Sequence, residues 1–485
     1  MLKVYNTLSR EKEPFKPLGD KEVGMYSCGP TVYDSPHIGN LRTYIMVDVI
    51  KRYLAYKGYK VTHVMNITDV GHLTSDADEG EDKLETGAKR EGKTVWEIAE
   101  YYTTIFKQNL KGLNILEPDI WAKATDHIQD QVDLIKKLEE KGYTYETREA
   151  IYFDISKFPR YEKLSRQPLE EKIVGARPEV AVDPKKRNPQ DFALWFKLAG
   201  KFANHQMRWP SPWGEGFPGW HIECSAMSMK YLGESFDIHL GGADHIPVHH
   251  TNEIAQSEAA TGKPFVRYWV HGEFLLVDGK KMAKSEGTFI ALENLKEKGY
   301  SPLAFRLLCM QAHYRSKLNF TWESLKSAKE SLARVENSVK NLLIKGGKGV
   351  ERNERFEDYF KKFIAAMDDD FNTPQALSAF FDLLSQASSP EVDRKSMYRV
   401  LLEMDKVLGL GLSRLKPVPV IAHEGIRVRN EVEEIIPLGV LDLVAQREKE
   451  RKKGNWEKAD EVRKQLDALG YSIEDGEEYT IIKLT

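Results

Sequence analysis

Glu22-Val23-Gly24-Met25-Tyr26-Ser27-Cys28-Gly29-Pro30-Thr31-Val32-Tyr33-Asp34-Ser35-Pro36-His37-Ile38-Gly39-Asn40-Leu41 decides how the rest of the chain is read. Residues 23–28 form a short apolar strand, stopped by Gly29-Pro30. After a polar turn, Ile38, Leu41, Ile45, Val49 and Tyr53 recur at the 3.6-residue spacing of an amphipathic helix. Ser35-Pro36 offers that helix an N-cap and a proline at its first position. Gly58 ends it, and residues 59–67 read as the next strand. A strand–helix–strand unit of this kind belongs to a parallel sheet, so the fold class is α/β. The unit lacks the GxGxxG turn that an ordinary dinucleotide fold needs for its pyrophosphate.

Further along, residues 117–198 change character, mixing a helix over 127–141, short strand-like pieces such as 150–153, and several Pro and Arg residues. This predicts an insertion that splits the sheet domain. The sheet pattern resumes at 236–240, followed by a Gly-rich turn, a helix over 247–261 and a strand over 268–277. From Pro302 the pattern turns helical, with a break at Lys345-Gly346-Gly347-Lys348-Gly349 and a helical stretch over 356–408. Lys416-Pro417-Val418-Pro419 precedes a last unit of charged helices over 441–469, ended by Gly470, with a strand-like tail at 479–484.

A chain of 485 residues implies several domains, and its 41% hydrophobic and 30% charged content is that of an ordinary globular protein. The net charge of −3 excludes a global attraction to nucleic acid, so any such contact needs a local basic patch. The three cysteines, Cys28, Cys224 and Cys309, are odd in number and far apart, which argues for free thiols in a reducing compartment. No apolar run reaches the roughly 18 residues of a membrane span, and residues 1–15 lack a secretory apolar segment. A cytoplasmic location without membrane contact is expected, with a monomer as the default state.

Three constellations carry chemistry. Pro36-His37-Ile38-Gly39-Asn40 opens a helix, where free amide hydrogens and a partial positive charge suit a phosphate chain. Lys281-Met282-Ala283-Lys284-Ser285 follows a strand on a Gly-containing loop, where two lysines can neutralise a departing pyrophosphate. His249 and Glu253 stand at i and i+4 on one helix face, and with Cys28 and Cys224 they could give zinc four ligands. Spacing leaves His221, His239, His245 and His250 as competing ligands.

Cys28 through Tyr33, His37-Ile38-Gly39-Asn40, Asn66-Ile67-Thr68-Asp69, Gly219 through Met227, His249 through Gln256 and Lys281 through Ser285 together resemble cysteinyl-tRNA synthetases, a class I aminoacyl-tRNA synthetase family. The likeness runs almost end to end and includes residues 446–470, which are similar to the family's anticodon-binding region. It implies a Rossmann-like catalytic domain over 1–116 and 199–300 and a connective insertion over 117–198. A stem-contact helical region over 301–345, a helical bundle over 350–415 and an anticodon-binding-like domain over 425–485 would follow.

The same resemblance implies L-cysteine, ATP and tRNA(Cys) as substrates, with one zinc ion and Mg²⁺ as cofactors. His37, Gly39 and Asn40 would occupy the HIGH signature on the ATP phosphates, and Lys281 and Lys284 the KMSKS signature. Cys28, Cys224, His249 and Glu253 would be the zinc ligands. Gly29, Thr68, Trp220, His239 and Asp244 would line the cysteine and adenylate pocket. Arg447, Lys449, Arg451, Lys452 and Lys453 form a basic cluster suited to tRNA, with Trp456 available to stack on a base, although interleaved glutamates also fit a solvated helix. Asn40 and Ala283 depart from the signatures, Thr251 stands where the family often has glutamate, and residues 71–92 are longer and more acidic than the family pattern. Two rivals remain. A ligase joining cysteine to an amino-sugar would have no use for the units after Pro419, and a tRNA-binding protein without catalysis would have no use for His37 and the lysines.

Overall fold

The structure is a computed structural model that describes every residue except 72, 76–78, 168–184, 283–287, 345–353, 389–392, 418–419, 431, 433–434, 477–478 and 485. The described chain divides into two compact units. One comprises Met1–Leu332, Phe360–Phe380 and Met404–Leu410, the other Ala333–Tyr359, Phe381–Glu403 and Gly411–Thr485.

The first unit is built on a five-stranded, all-parallel sheet in the order Val266–Gly272, Phe236–Gly242, Glu22–Ser27, Lys60–Ile67 and Ile120–Lys123. Counted along the chain this is 5-4-1-2-3, a doubly wound sheet, and such sheets bind ligands beyond the carboxyl ends of the strands where the order reverses. That point lies between Glu22–Ser27 and Phe236–Gly242. Both strands are buried through most of their length, as strands covered by helices on both faces must be. The helix Ile38–Tyr56 buries Ile38, Leu41, Ile45, Val49 and Tyr53, the stripe its periodicity predicts, and Gly58 ends it at φ 85°. Its cap differs from the expectation: His37, not Ser35, is the N-cap, because the His37 ring accepts the Asn40 N–H while the Asn40 side chain accepts the His37 N–H.

Several expected boundaries move. Ile120–Lys123 pairs with Lys60–Ile67, so the parallel sheet continues past residue 117. The inserted sheet is antiparallel, ordered Gly216–Pro218, Phe192–Lys197, Ala150–Phe153, Thr144–Glu146, and therefore extends beyond residue 198. The strand expected over 268–277 is two: Val266–Gly272 in the main sheet, and Leu275–Val277 in a small sheet with Lys280–Lys281 and Leu318–Phe320. Parts of the expected helical bundle fold with the first unit, since Asp368 takes bonds from Tyr53 and Lys57, and the Leu408 carbonyl takes one from Arg306. The expected break at 345–349 lies outside the described residues, as do the last two residues of the one at 416–419, whose Lys416 and Pro417 belong to no helix or strand.

Residues 71–92 contain the paired strands Leu73–Ser75 and Glu79–Asp82 and the helix Lys83–Glu91. Asp82 caps that helix by accepting the Glu85 N–H, and its other oxygen lies 3.0 Å from His205 Nε2 of the insertion. His205 Nδ1 faces the Met207 carbonyl at 2.7 Å, so the ring meets two acceptors and satisfies both only as imidazolium. Burial opposes the charge, but the Asp82 hydrogen bond and charge outweigh it and raise the His205 pKa. A raised folded-state pKa contributes stability that is complete below the unfolded value of about 6.5 and is lost as pH rises through the folded value. His205→Gln is therefore expected to destabilise the protein most at pH 6 and progressively less towards pH 9, as read by urea midpoints. A loss independent of pH would show that the pair is not charged.

In the second unit, Val420–His423, Ile426–Asn430, Thr480–Leu484 and Tyr471–Asp475 form a mixed four-stranded sheet in that order. The helices Leu438–Lys452 and Trp456–Ala468 share its core through Val440, Leu441, Val444, Val462 and Leu466. Only the Thr480–Leu484 strand and the helices were legible beforehand. Among the described residues, no helix is long and apolar enough to cross a membrane.

Candidate functional site

Cys28 leaves the carboxyl end of the first strand and is tied across the switch point by its N–H to the Leu240 carbonyl at 3.2 Å. Gly29 follows because nothing larger fits: an added Cβ would stand 1.7 Å from the Asn66 carbonyl oxygen. The Gly29 N–H donates to Asn66 Oδ1 at 2.7 Å. Cys224 comes from the helix Trp220–Leu232, and His249 and Glu253 from successive turns of His249–Thr261. All four are buried, and their ligand atoms lie within 4.8 Å of one another. A second set, Cys28, His239, His250 and Glu253, meets the same distance.

The surroundings orient these side chains as outer partners orient metal ligands. His239 Nε2 lies 2.7 Å from Glu253 Oε2. Glu253 Oε1, 2.9 Å from His249 Nε2, has no aligned hydrogen bond, so the two atoms sit side by side rather than satisfying one another. His249 Nδ1 meets His221 Nδ1 at 3.0 Å. Cys28 Sγ lies 3.2 Å from His250 Nε2, and His250 Nδ1 continues to His271 at 2.7 Å and thence to Thr7 at 2.8 Å. Burial pushes the thiols up, yet the hydrogen bond from Cys28 and the His249 charge bring Cys224 down to about 7, while Cys28 stays well above its usual range. Burial opposes ionisation of Glu253 too, but His239 and His249 hold its carboxyl far below the ordinary value; His249, against burial, rises to about 10 beside Glu253 and Cys224. Two soft sulfurs, an imidazole and a carboxylate with an orphaned oxygen fit a borderline cation such as zinc. Both sets share Cys28 and Glu253, and only the first brings two sulfurs, the softer ligands for such a cation.

The other expected pocket residues gather here. Thr68 Oγ1 donates to Glu223 Oε2 at 3.0 Å and accepts from Asn66 at 3.0 Å. The Trp220 indole stacks on His249 with centroids 4.2 Å apart. Asp244 is exposed, and its charge partly offsets the burial that lowers the His37 pKa. Glu223, Asn66 and His271 have no role assigned from sequence, because a buried polar partner leaves no periodic signal; His250, one of the competing ligands, stands against Cys28 Sγ in the second set.

Chain segments far apart in sequence meet at His37. Ile38 N–H donates to the Ile290 carbonyl at 2.9 Å, and Met282 lies 3.8 Å from where a Cβ on Gly39 would stand. Lys281 is exposed, its ammonium 4.8 Å from the Phe274 ring. Lys284, with Ala283 and Ser285, lies outside the described residues.

The chain matches the catalytic domain of class I (C) tRNA synthetases over residues 14–330, a DALR domain over 362–413 and the cysteinyl-tRNA ligase anticodon binding domain over 435–479. It is 46% identical to the cysteine–tRNA ligase of Treponema denticola, over 98% of both chains. The chain belongs to the cysteine–tRNA ligase family. Family members also include cysteine–tRNA ligase 1 of Burkholderia lata, 46% identical over 98% of this chain and 95% of that one, and a Thermus thermophilus enzyme, 44% identical over 98% of each. The fold is shared more widely among class I synthetases. Mycobacterium tuberculosis methionyl-tRNA synthetase in complex with methionyl-adenylate aligns with a TM-score of 0.54 at 14% identity, covering 81% of this chain and 90% of that one.

In the part that matches the family's anticodon binding domain, the basic cluster divides. Arg447 is buried and bonds both oxygens of Asp475, at 2.7 and 3.1 Å, and Arg451 also pairs with Asp475 and Glu448. These two arginines hold the helix to the strand Tyr471–Asp475, and Arg447 is not presented to a nucleic acid. Lys449, Lys452 and Trp456 are exposed; Lys453 is too, with its ammonium 2.9 Å from Glu450.

Proposed function

We propose that this chain, a cysteine–tRNA ligase, selects L-cysteine by its thiol at a zinc ion held by Cys28, Cys224, His249 and Glu253. The observation that carries this reading is the convergence of those four buried ligand atoms at the switch point of the sheet. Zinc bound there supplies a ligand position for a thiolate and lowers the thiol pKa. Serine, whose hydroxyl is a poor zinc ligand, is then rejected by about 10⁴ or more, beyond what an apolar pocket achieves for one atom.

The chain's own residues position the reaction. A carboxylate oxygen of cysteine attacks the α-phosphorus of ATP, and the bond to pyrophosphate breaks. His37 accepts the Asn40 N–H on Nδ1 at 3.1 Å, so its neutral ring carries the proton on Nε2 and can donate to a phosphate oxygen. Lys281 and Lys284, with Mg²⁺ accompanying the ATP phosphates, neutralise the leaving pyrophosphate. Gly39 lets the nucleotide approach the helix N-terminus, where Asn40 serves through the cap rather than by direct contact. The terminal ribose hydroxyl of tRNA(Cys) then attacks the acyl carbon and AMP leaves. Lys449, Lys452, Lys453 and Trp456, all exposed, would be the contacts of the C-terminal unit with the tRNA. Three buried cysteines without a disulfide fit a cytoplasmic setting.

The test is ATP–pyrophosphate exchange by the wild-type protein with cysteine and with serine, with metal content measured on the same sample. Exchange with cysteine alone and one zinc per chain is the expected result. Equal exchange with serine, or exchange by metal-free protein, would overturn the thiol-recognition reading.

A further inference from the structure

The helix Lys83–Glu91, which the chemistry above does not use, lies beside the site. The helix Lys83–Glu91 packs on the loop that joins Cys28 to His37: an added Cβ on Gly87 would be 3.1 Å from the Tyr33 carbonyl, and Arg90 reaches Asp34 at 3.3 Å and the Tyr33 carbonyl at 3.4 Å. Asp82, pinned by His205, caps this helix, and Glu85 accepts the Gln206 N–H at 2.9 Å. The His205 ring stacks on Phe217 with centroids 3.8 Å apart, which anchors the pin in the insertion core. The first residue of the helix, Lys83, is half-buried, with its ammonium 5.9 Å from the Tyr33 ring centroid and 5.7 Å from that of Trp220. Trp220 in turn stacks on His249. A cationic group is thus held over two aromatic faces, one ring away from the metal-ligand cluster.

We propose that Lys83 binds the carboxylate of the amino-acid substrate. The proposal rests on the thiol seat described above. In cysteine the carboxyl carbon is three bonds from sulfur, so a molecule whose thiol reaches the Cys28–Cys224 cluster carries its carboxylate a short way out, towards the Trp220 face. Lys83 stands over that face, on the wall of the loop leading to His37, where the carboxylate must lie to reach an α-phosphate. Asp82 then has a purpose: capping the helix and pinned by His205, it sets the start of the helix, and so the place of one ammonium.

The experiment measures equilibrium binding of L-cysteine and of cysteamine, which has the thiol and amine but no carboxylate, to zinc-loaded wild type, Lys83→Gln and Lys83→Arg. Lys83→Gln is expected to weaken cysteine roughly 10- to 100-fold, the worth of a charge-assisted hydrogen bond, and to leave cysteamine within about twofold. Lys83→Arg should recover most of the cysteine affinity, and all three proteins should keep one zinc. If Lys83→Gln weakens both ligands equally, or neither, the carboxylate assignment is overturned while the thiol seat stands. If wild type itself binds neither ligand, the thiol seat fails and the assignment fails with it.

Discussion

Cys224→Ala is expected to abolish zinc binding and cysteine-dependent pyrophosphate exchange together, with kcat/KM for cysteine falling by roughly 10⁴, the factor by which a site built on one polar interaction rejects a ligand lacking it. Cys224 is the thiol most ready to ionise in the cluster, since Cys28 donates to it and His249 stands beside it. Removing it leaves His249 and Glu253 with only their outer partners His221 and His239. The packing loss from one sulfur is small, about 1–2 kcal/mol, so the variant should remain folded. Cys309→Ala is the matched control: Cys309 is also buried, and burial pushes its thiol up to about 12, so it is inert. It should lose similar stability and keep full exchange and zinc. If both variants lose activity alike, packing rather than metal ligation is the cause.

Asp48→Ala is expected to cost about 3–5 kcal/mol of stability, the penalty for leaving a buried charge without its partner. Asp48 lies on the helix Ile38–Tyr56 with a fully buried side chain, 2.6 Å from Arg306 and 2.7 Å from Arg52, and it accepts the Leu116 N–H at 2.8 Å. Arg306 has no solvent exposure; its Nε donates to the Leu408 carbonyl and one terminal nitrogen to Leu113. Burial lowers its pKa despite Asp48, but a guanidinium cannot discharge to relieve the loss. Gly409 closes the site at φ 66°, where a Cβ would fall 2.6 Å from the guanidinium. The measurement is the urea midpoint and slope of Asp48→Ala, set beside Asp48→Leu with Arg306→Met. The double variant should regain most of the stability, because an apolar pair of similar volume avoids both desolvation costs. If the double variant is no better than Asp48→Ala, the loss lies in shape and not in charge.

Much of this molecule is legible in its residues, for identifiable reasons. Strands covered on both faces are rich in apolar residues; residues 23–28 stand out as such a run, and 59–67 and 236–240 read as strands although Thr62, His63, Asn66, Asp237 and His239 interrupt them. The Ile38–Tyr56 helix shows its period, and Gly58 its end. Elements whose signal is shared with loops were missed: Ile120–Lys123, Gly216–Pro218 and Leu318–Phe320 are short, and none repeats long enough to show a period. The break between Gly272 and Leu275 escaped because an apolar run does not say where a strand changes sheet. His37 as N-cap was hidden by Ser35-Pro36, a stronger local capping pattern that the Asn40 side chain overrides.

The site divides along the same line. His249 and Glu253 share a helix face by spacing alone, and Cys28 and Gly29 follow a strand end, so residue order suffices to propose the ligand types and a phosphate-binding helix. Packing in three dimensions was needed to bring Cys224 to Cys28, to set His239 against Glu253 Oε2, and to spend Arg447 on Asp475. It also placed Lys83 over Trp220. Periodicity reports which face of an element is buried, but the partner that buries it belongs to another part of the chain. Only the order of strands in the sheet brings those parts to one crevice.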